Sequence, residues 1–308
     1  MNEQNPAIFL ESLTHRYGQR TALSDLSLSI PPNRFFGLLG PNGGGKTTLF
    51  RILATLLRPT QGRAEIFGVD VIKHPAQIRQ MVGIVFQSSS IDPKLTVAEN
   101  LTHAGHLYGL YGKKLTTLVD SLLESLRLTD RAKELTESLS GGLKRRVEIA
   151  KALLSQPRVL LMDEPSTGLD PAARIDLWNL VQNVRSQHQL TVLFTTHLME
   201  EADKADEIAI LSQGSLVAKG EPFALREALG QNVLRIDAIE PETLAKILKQ
   251  ELGLLPSLVD GELRMESNDA LSLANQIGNQ YASQIRTLSI ARPTLEDVFV
   301  AKTGLHFD

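Results

Sequence analysis

Cysteine is absent from the 308-residue chain. Its absence excludes disulfides, thiolate catalysis and cysteine-ligated zinc or iron–sulfur sites. A membrane-spanning helix needs roughly 20 consecutive apolar residues, and the sequence has no such run. The N-terminal residues show no basic start followed by an apolar stretch, so we expect no secretion signal. Charge of one sign is also lacking: 32 basic and 35 acidic residues give a net charge of −3, which disfavours binding nucleic acid through bulk charge.

The remaining composition is that of an ordinary globular protein, with 42% hydrophobic and 22% charged residues. At about 150 residues per domain, the length predicts two domains. Together with the absences, this composition predicts a soluble cytoplasmic protein.

Strand and helix patterns alternate over the first 230 residues, which predicts an α/β domain with a partly parallel sheet. The predicted strands are residues 7–13, 23–30, 34–39, 63–67, 82–86, 159–162, 190–195 and 207–211. The predicted helices are residues 46–57, 142–155, 172–188 and 198–204. Residues 97–135 contain only helical patterns, so we expect a helical insert at about 88–157 within this domain (1–230).

A second pattern starts after Gly230 and predicts an accessory or regulatory domain over 231–308. Its order is β-α-β-β-α-β, typical of a split βαβ, ferredoxin-like α+β unit. The elements are residues 233–238, 242–252, 255–259, 263–266, 269–282 and 285–290, with a final helix at 294–302. Asp260-Gly261 is a two-residue hairpin signal between its middle strands.

A glycine-rich loop between a predicted strand and a predicted helix fits the pattern G-x-x-x-x-G-K-[ST]. Such a loop turns consecutive backbone N–H groups toward phosphate oxygens, and the helix adds its positive end. Lys46 is expected to reach the β- and γ-phosphates of a nucleotide, and the Thr47 hydroxyl to ligate Mg²⁺. The residues of the loop are Gly40, Pro41, Asn42, Gly43, Gly44, Gly45, Lys46, Thr47 and Thr48.

Two further segments have an ordinary and a functional interpretation. Leu139–Gly142 precedes a helix, where a serine and two glycines form a simple cap or leave amides free for an anion. The apolar run 159–162 ends in Asp163 and Glu164, which is either a solvated strand end or a pair with distinct roles. Asp163 would be an outer-shell magnesium ligand, and Glu164 would orient or deprotonate a water.

Three more sites are unremarkable when each is considered alone. Ser166–Asp170 follows the two carboxylates directly. Thr195-Thr196-His197 closes a predicted strand, and a single histidine is more often structural than catalytic. Gln87 follows the predicted strand 82–86, where an amide usually faces solvent.

Taken together and in this order, the segments resemble the ATP-binding-cassette (ABC) family over residues 7 to about 225. The resemblance makes 40–48 the Walker A loop, Gln87 the Q-loop glutamine and metal ligand, and Ser140, Gly141 and Gly142 the signature that contacts the ATP of a partner subunit. It makes 159–164 the Walker B strand with catalytic Glu164, Asp170 the D-loop aspartate at the dimer interface, His197 the catalytic switch histidine and Tyr17 the aromatic that stacks on adenine.

Two positions depart from the family pattern. Gly44 stands where the family usually has Ala or Ser, and we expect the extra glycine to loosen the loop slightly. Leu143 follows the signature where many importers have Gln. The stretch from Leu139 to Leu154 and the tail from Ala291 to Gly304 resemble the exporter branch whose type-2 permeases are separate chains, such as antibiotic and drug exporters.

The resemblance implies an ATPase that uses ATP and Mg²⁺, works as a homodimer and drives a separate membrane permease. The helical insert, reached through Gln87 and the 88–96 loop, resembles the family's permease-docking region. The protein is then expected in the cytoplasm, peripheral on the inner face of the cell membrane, with no nucleic acid as partner.

Two alternatives stay open. The chain could be a non-transport ABC ATPase that is either nucleic-acid-associated, with Lys144-Arg145-Arg146 as the patch, or regulatory. The tandem cassettes, coiled coils and zinc cysteines of the nucleic-acid-associated class are missing from the sequence. Residues 231–308 carry 7 basic and 11 acidic residues and their predicted strands lack aromatics, which disfavours RNA binding. This unit either regulates or stabilises the homodimer, or is a passive extension.

Overall fold

Strands and helices alternate along most of the chain in a computed structural model, which describes residues 5–229, 232–259, 261–267 and 269–305. The strands are β1 (Ile8–Tyr17), β2 (Arg20–Ile30), β3 (Phe35–Leu39), β4 (Gln61–Ile66), β5 (Val69–Asp70), β6 (Val82–Val85), β7 (Val159–Asp163), β8 (Thr191–Thr196), β9 (Glu207–Ser212), β10 (Ser215–Gly220), β11 (Asn232–Ala238), β12 (Ser257–Val259), β13 (Glu262–Ser267) and β14 (Ile285–Ala291). The helices are α1 (Lys46–Leu53), α2 (Pro75–Met81), α3 (Val97–Leu107), α4 (Gly112–Ser125), α5 (Gly141–Leu153), α6 (Pro171–His188), α7 (Met199–Ala202), α8 (Pro222–Glu227), α9 (Pro241–Leu252), α10 (Ala270–Tyr281) and α11 (Leu295–Thr303).

The chain divides into two compact units, Met1–Leu216 and Val217–Asp308. The predicted boundary at residues 230 and 231 lies outside the described residues. Among the described helices, none combines the length and the apolar character that crossing a bilayer requires.

A six-stranded sheet has the order β10-β9-β3-β8-β7-β6, and its five strands from β9 to β6 form the centre of the first unit. The pairs from β9 to β6 are parallel. Strands β3, β7 and β8 are buried at every position, which matches their nearly continuous apolar sequence, since parallel strands are covered on both faces. Because the carboxyl ends of parallel strands lie at the same edge of a sheet, the ends of β3, β7 and β8 are neighbours. The predicted motifs begin at these ends.

Aromatic packing fixes α6 against this sheet. The Trp178 ring centroid lies 4.7 Å from that of Phe194 on β8 and 5.8 Å from that of Phe35 on β3. All three side chains are fully buried, and each such ring buries about 150–250 Å². This contact holds in place the helix that follows the Asp170 segment.

A second sheet in the first unit is antiparallel, with order β2-β1-β4-β5. The predicted helical insert is present between β6 and β7. Helix α3 begins with a capping box in which the Thr96 and Glu99 side chains satisfy each other's backbone N–H groups. A β-bridge between Thr96 and Leu135 joins the two ends of the α3–α4 segment.

Helix α1 ends earlier than its apolar pattern indicates. Helix α1 ends at Leu53 rather than at residue 57, because Thr55 has a left-handed backbone with φ of 61°. Leu56 is then 61% exposed, while Leu57 still packs against the core. Helix α3 ends at Leu107 because the chain turns at Gly109, where φ is 74°.

The described part of the second unit contains the predicted α+β pattern. Its strands have the order β12-β13-β11-β14 and pair antiparallel, as in a ferredoxin-like unit. Helices α9 and α10 cover one face, with Leu244, Leu248 and Ile277 in the core. Val259 pairs with Glu262, so the predicted hairpin connection is two residues long, although Asp260 itself lies outside the described residues.

Candidate active site

The predicted phosphate-binding loop joins β3 to α1. Gly45 immediately precedes the helix with a φ of 102°, and no side chain caps the helix N-terminus. A Cβ at Gly45 would lie 2.7 Å from the Ala22 carbonyl oxygen, so only glycine fits there. The first amides of α1, without a side-chain cap, are therefore suited to an anion such as a phosphate.

Gly44 is held more firmly than expected. Its N–H donates to the Pro41 carbonyl (3.1 Å) and its carbonyl accepts from the Gly214 N–H (3.1 Å). A Cβ at this position would lie 3.0 Å from the Pro41 oxygen and 3.2 Å from the Leu211 oxygen. Two backbone hydrogen bonds thus fix the conformation, and an alanine here would require small shifts of the neighbouring backbone.

A cavity of about 250 Å³ opens above this loop. Tyr17, 45% exposed at the end of β1, forms part of its wall. Gly40, Pro41 and Gln87 belong to the predicted ATP-binding set but are not part of the lining. The cavity is lined by Tyr17, Arg20, Ala22, Asn42, Gly43, Gly44, Gly45, Lys46, Thr47, Thr48, Arg51 and Glu164. Most of the predicted nucleotide-binding residues therefore share one cavity, and Arg20 and Arg51 join them without having been predicted.

The Lys46 ammonium is the buried cation of the site. Its Nζ donates to the carbonyl oxygens of Gly40 (2.6 Å) and Pro41 (3.0 Å) and lies 3.7 Å from Oε1 of Glu164. Burial lowers the pKa of Lys46, and the charges of Glu164 and Asp163 oppose that shift. The geometry holds a positive charge at the floor of the cavity, next to the start of α1.

Asp163 is the last residue of β7 and is almost completely buried. Burial raises the pKa of its carboxyl group, while a hydrogen bond from the Thr195 hydroxyl to Oδ1 (2.6 Å) opposes that shift. Glu164 follows just beyond the strand with a φ of 45°. The two neighbouring carboxylates therefore point to different surroundings.

Four side chains of the predicted site region surround the Glu164 carboxylate. Its carboxylate lies 3.7 Å from Lys46 Nζ, 3.5 Å from Gln87 Nε2 and 3.3 Å from Thr167 Oγ1. The Nδ1 atom of His197 lies 3.3 Å from Oε2, without hydrogen-bond geometry. A carboxylate on the wall of a phosphate cavity can orient a water molecule or accept its proton.

The predicted signature lies at the start of α5. The Ser140 hydroxyl accepts the Leu143 N–H (3.4 Å) as the N-cap. Cβ atoms at Gly141 and Gly142 would lie 3.3 Å from Leu169 and from Ala173 respectively. The signature therefore packs against the segment that contains Asp170.

Asp170 itself caps α6. Its Oδ1 accepts the Ala173 N–H at 2.9 Å. The carboxylate is thereby placed at the positive end of an 18-residue helix, beside the start of α5.

The basic cluster 144–146 is occupied by contacts within the chain. Arg145 is buried and pairs with Glu148 (2.6 Å), and it donates to the carbonyls of Phe86 (2.7 Å) and Gln87 (3.2 Å). Arg146 pairs with Asp176. Because both guanidinium groups are engaged, the cluster is not a free patch for nucleic acid, which removes support for the alternative function.

Sequence reasoning missed the role of Glu201, a carboxylate on α7 that is 1% exposed. It accepts hydrogen bonds from Thr196 Oγ1 (2.6 Å) and from the Ser166 hydroxyl, and it lies 3.7 Å from Arg174 Nε. It thus links the loop of His197 to the segment after Glu164. A helix was predicted at 198–204, but two of the partners of Glu201, Ser166 and Arg174, lie on distant segments, so no local pattern marks this acid as buried.

A Mg²⁺ ion prefers hard oxygen ligands, usually few of them from protein. The described residues contain no cluster of three or more His, Cys, Asp or Glu side chains that could hold a metal. Thr47 on the cavity wall, Asp163 and Gln87 instead supply a hydroxyl, a carboxylate and an amide oxygen beside the phosphate loop. This set fits a Mg²⁺ ion that arrives with nucleotide phosphates.

Comparisons with known proteins identify the family of the chain. A family model described as ABC transporter matches residues 23–167. The daunorubicin resistance ATP-binding protein DrrA3 of Streptomyces coeruleorubidus is 36% identical over 97% of this chain and 96% of its own. The Nod factor export ATP-binding protein I of Rhizobium leguminosarum bv. viciae is 35% identical over 97% of this chain and 95% of its own.

Solved structures share the fold. The cbiO1 protein of Clostridium perfringens, part of the ABC transporter complex cbiONQ, aligns with a TM-score of 0.68 at 24% identity over 81% of this chain and 96% of its own. A dimeric ATP-binding cassette in a post-hydrolysis state, bound to ADP and phosphate, aligns with a TM-score of 0.62 at 26% identity over 70% of this chain and 98% of its own. The chain therefore belongs to the ABC transporter family, as an ATP-binding and ATP-hydrolysing subunit of the exporter type.

Proposed function

We propose that this chain works as a homodimer that hydrolyses ATP with Mg²⁺ and drives a separate membrane permease in export. The convergence of Lys46, Gln87, Thr167 and His197 on the Glu164 carboxylate carries this proposal. A buried cation, an amide, a hydroxyl and an imidazole around one carboxylate form a setting for water attack on a phosphate.

In this proposal the nucleotide lies in the cavity above the 40–48 loop. Tyr17 stacks on adenine, and Lys46 meets the β- and γ-phosphates as they approach the first amides of α1. Glu164 orients the attacking water or accepts its proton. His197 lies close to Glu164, and in this proposal its imidazole contacts the γ-phosphate beside the attacking water.

Thr47, Asp163 and Gln87 are the proposed magnesium ligands, with Asp163 acting through the ion's outer shell. When bound, Mg²⁺ neutralises charge on the β- and γ-phosphate oxygens. Asp163 suits an outer-shell role, since one of its oxygens already accepts the Thr195 hydroxyl.

Dimerisation follows from where the signature lies. Ser140, Gly141 and Gly142 begin α5, a helix N-terminus suited to an anion, and each chain carries one phosphate loop and one signature. A second copy can place its signature on the γ-phosphate that the first copy displays. Asp170 lies beside that helix start and would belong to the same interface. Hydrolysis would separate the γ-phosphate from ADP, so that the contact shared by the two chains is lost and the dimer opens.

Coupling to a permease is supported by the way the Q-loop is tied to α5. Arg145 on α5 holds the Phe86 and Gln87 carbonyls, and the Ser90 N–H donates to Glu148 Oε1 at 3.1 Å. The signature helix and the loop leading to α3 are thus joined by hydrogen bonds. A movement of Gln87 on nucleotide binding would then move the whole helical insert (about 88–157) together.

The proposed direction is export. The relatives named for daunorubicin resistance and for Nod factor export support this direction. The corresponding location is the cytoplasm, at the inner face of the cell membrane, where the permease would hold the chain.

Co-purification tests the permease proposal. We expect the chain to co-purify with the membrane protein encoded beside it. Leu107 is 89% exposed on α3, and Leu107→Asp should weaken this association by about tenfold or more, as for a desolvated interface residue. The measurement is the amount of permease retained on tagged chain.

The matched control is Leu255→Asp, an exposed leucine in the other unit, which should leave retention unchanged. The transport assignment would be contradicted if the chain does not bind the membrane protein but binds DNA with an affinity that falls steeply as salt rises.

For the second unit, we propose that residues 231–308 stabilise or regulate the homodimer. A truncation after Gly230 should keep ATPase turnover within about threefold of the full chain, because the proposed ATP residues all precede residue 200 and lie in the compact unit Met1–Leu216. Its association in the absence of nucleotide should weaken, as seen by sedimentation. If the truncated and full chains associate equally, this unit is a passive extension.

A further inference from the structure

Thr195 carries a buried hydroxyl that has so far been considered only as a partner of Asp163. It lies near the end of β8, is completely buried, and stands directly opposite Asp163 in the parallel β7–β8 pair. Its Oγ1 makes two hydrogen bonds: it donates to Asp163 Oδ1 (2.6 Å) and accepts the Glu164 N–H (2.9 Å). One side chain therefore bonds to both consecutive residues at the end of β7.

The two bonds can be made in only one arrangement. A carboxylate only accepts, so the single hydroxyl proton must go to Asp163. The lone pairs of Oγ1 then face the Glu164 N–H. The hydroxyl is thereby oriented, and it fixes the peptide between the two carboxylate residues.

The backbone at Glu164 needs such fixing. Its φ of 45° lies in the left-handed region, which is unfavourable for a residue other than glycine and persists only where the surroundings hold it. The Glu164 carbonyl accepts the Thr167 N–H at 3.2 Å. The Thr195 hydroxyl secures the N–H side of the same residue, so the bend is held at both ends.

We propose that Thr195 is a positioning residue for catalysis, whose hydroxyl holds the Glu164 backbone in the bend that aims its carboxylate at the attacking water. This inference rests on the proposed role of Glu164. Since His197 follows Thr195 by two residues, the end of β8 sets the positions of both the proposed base and the switch histidine.

The chain offers a matched control on the same strand. Thr191 is also completely buried on β8, and its Oγ1 accepts one backbone N–H, from Asn33, at 2.9 Å. A Thr→Val change at either position removes a buried hydroxyl that accepts one backbone N–H, and at Thr195 it also removes the donor to Asp163. Only the change at Thr195 releases the Glu164 backbone.

The experiment compares steady-state ATPase kinetics, ATP affinity and Tm for the full-length chain and its variants. Thr195→Val should lower kcat by about 10- to 100-fold, as for a displacement of about 1 Å in a catalytic group. Its KM and ATP affinity should stay within about threefold, because the phosphate loop is unchanged. Thr195→Ser keeps the hydroxyl and should restore kcat to within about threefold of the wild type.

Thr191→Val should lower Tm, though less than Thr195→Val, which also loses the bond to buried Asp163, and should leave kcat within about twofold. If Thr195→Val does not fold, Thr195→Ala replaces it, with the same loss of kcat expected. Equal kcat for Thr195→Val and Thr191→Val, or no recovery in Thr195→Ser, would overturn the inference.

Glu164→Gln is measured alongside to separate this inference from the proposed function. If Glu164→Gln is inactive while Thr195→Val is normal, only this inference fails. If Glu164→Gln is fully active, the proposed function fails as well.

Discussion

Glu164→Gln is expected to lower ATP turnover by roughly 10²–10⁴-fold, the usual contribution of a general base. The amide is nearly isosteric with the carboxylate but cannot accept a proton from water. Lys46, Gln87 and His197 surround the carboxylate, so its replacement removes the group on which they converge. The measurement is kcat under saturating ATP and Mg²⁺, with ATP affinity determined separately and expected to survive.

Glu200→Gln is the matched control. Glu200 is an exposed carboxylate on α7, close in sequence to the switch histidine, and its amide variant should hydrolyse ATP like the wild type. Wild-type turnover in Glu164→Gln would show that another group activates the water.

Lys46→Ala is expected to cost ATP binding about 2–4 kcal/mol, or roughly 30- to 700-fold in affinity, as for loss of one partner of a buried charge contact. The Lys46 ammonium is almost completely buried at the floor of the cavity, where phosphate charge is poorly screened by water. The contact is therefore stronger than a surface ion pair would be. The measurement is equilibrium binding of ATP to the purified variant.

Lys113→Ala, an exposed lysine on α4, should bind ATP like the wild type. Circular dichroism and Tm establish that Lys46→Ala is folded. Unchanged ATP affinity in folded Lys46→Ala would mean that the 40–48 loop does not bind the phosphates.

The core of the fold was predictable because its signals are local. Strands β3, β7 and β8 are short, continuously apolar and bounded by turn or polar residues, and helix α6 has an aspartate cap followed by proline. The glycine loop could be placed from its spacing alone. Elements with weak patterns were missed: α2 buries only Ile78, and β10 has no fully buried position.

The candidate site was predictable as a set of residues and not as a geometry. Nothing in the sequence indicates that Glu164 adopts a left-handed backbone, because that conformation is imposed by contacts with β8 and with Thr167. The same holds for Glu201, whose partners Ser166 and Thr196 lie on two other segments. Arg145 could be read only as part of a basic run, since its partners Phe86 and Gln87 are almost 60 residues away in sequence.

Sedimentation velocity of Glu164→Gln tests most directly the claim that two chains close around ATP. With hydrolysis blocked, the fraction of dimer should be much larger in ATP and Mg²⁺ than in ADP, where only the weaker association proposed for residues 231–308 remains. Adding Ser140→Arg places a bulky cation at the start of α5 and should abolish the ATP-dependent dimer, while ATP binding to the single chain persists. A dimer that forms equally with ADP, or that survives Ser140→Arg, would contradict the account.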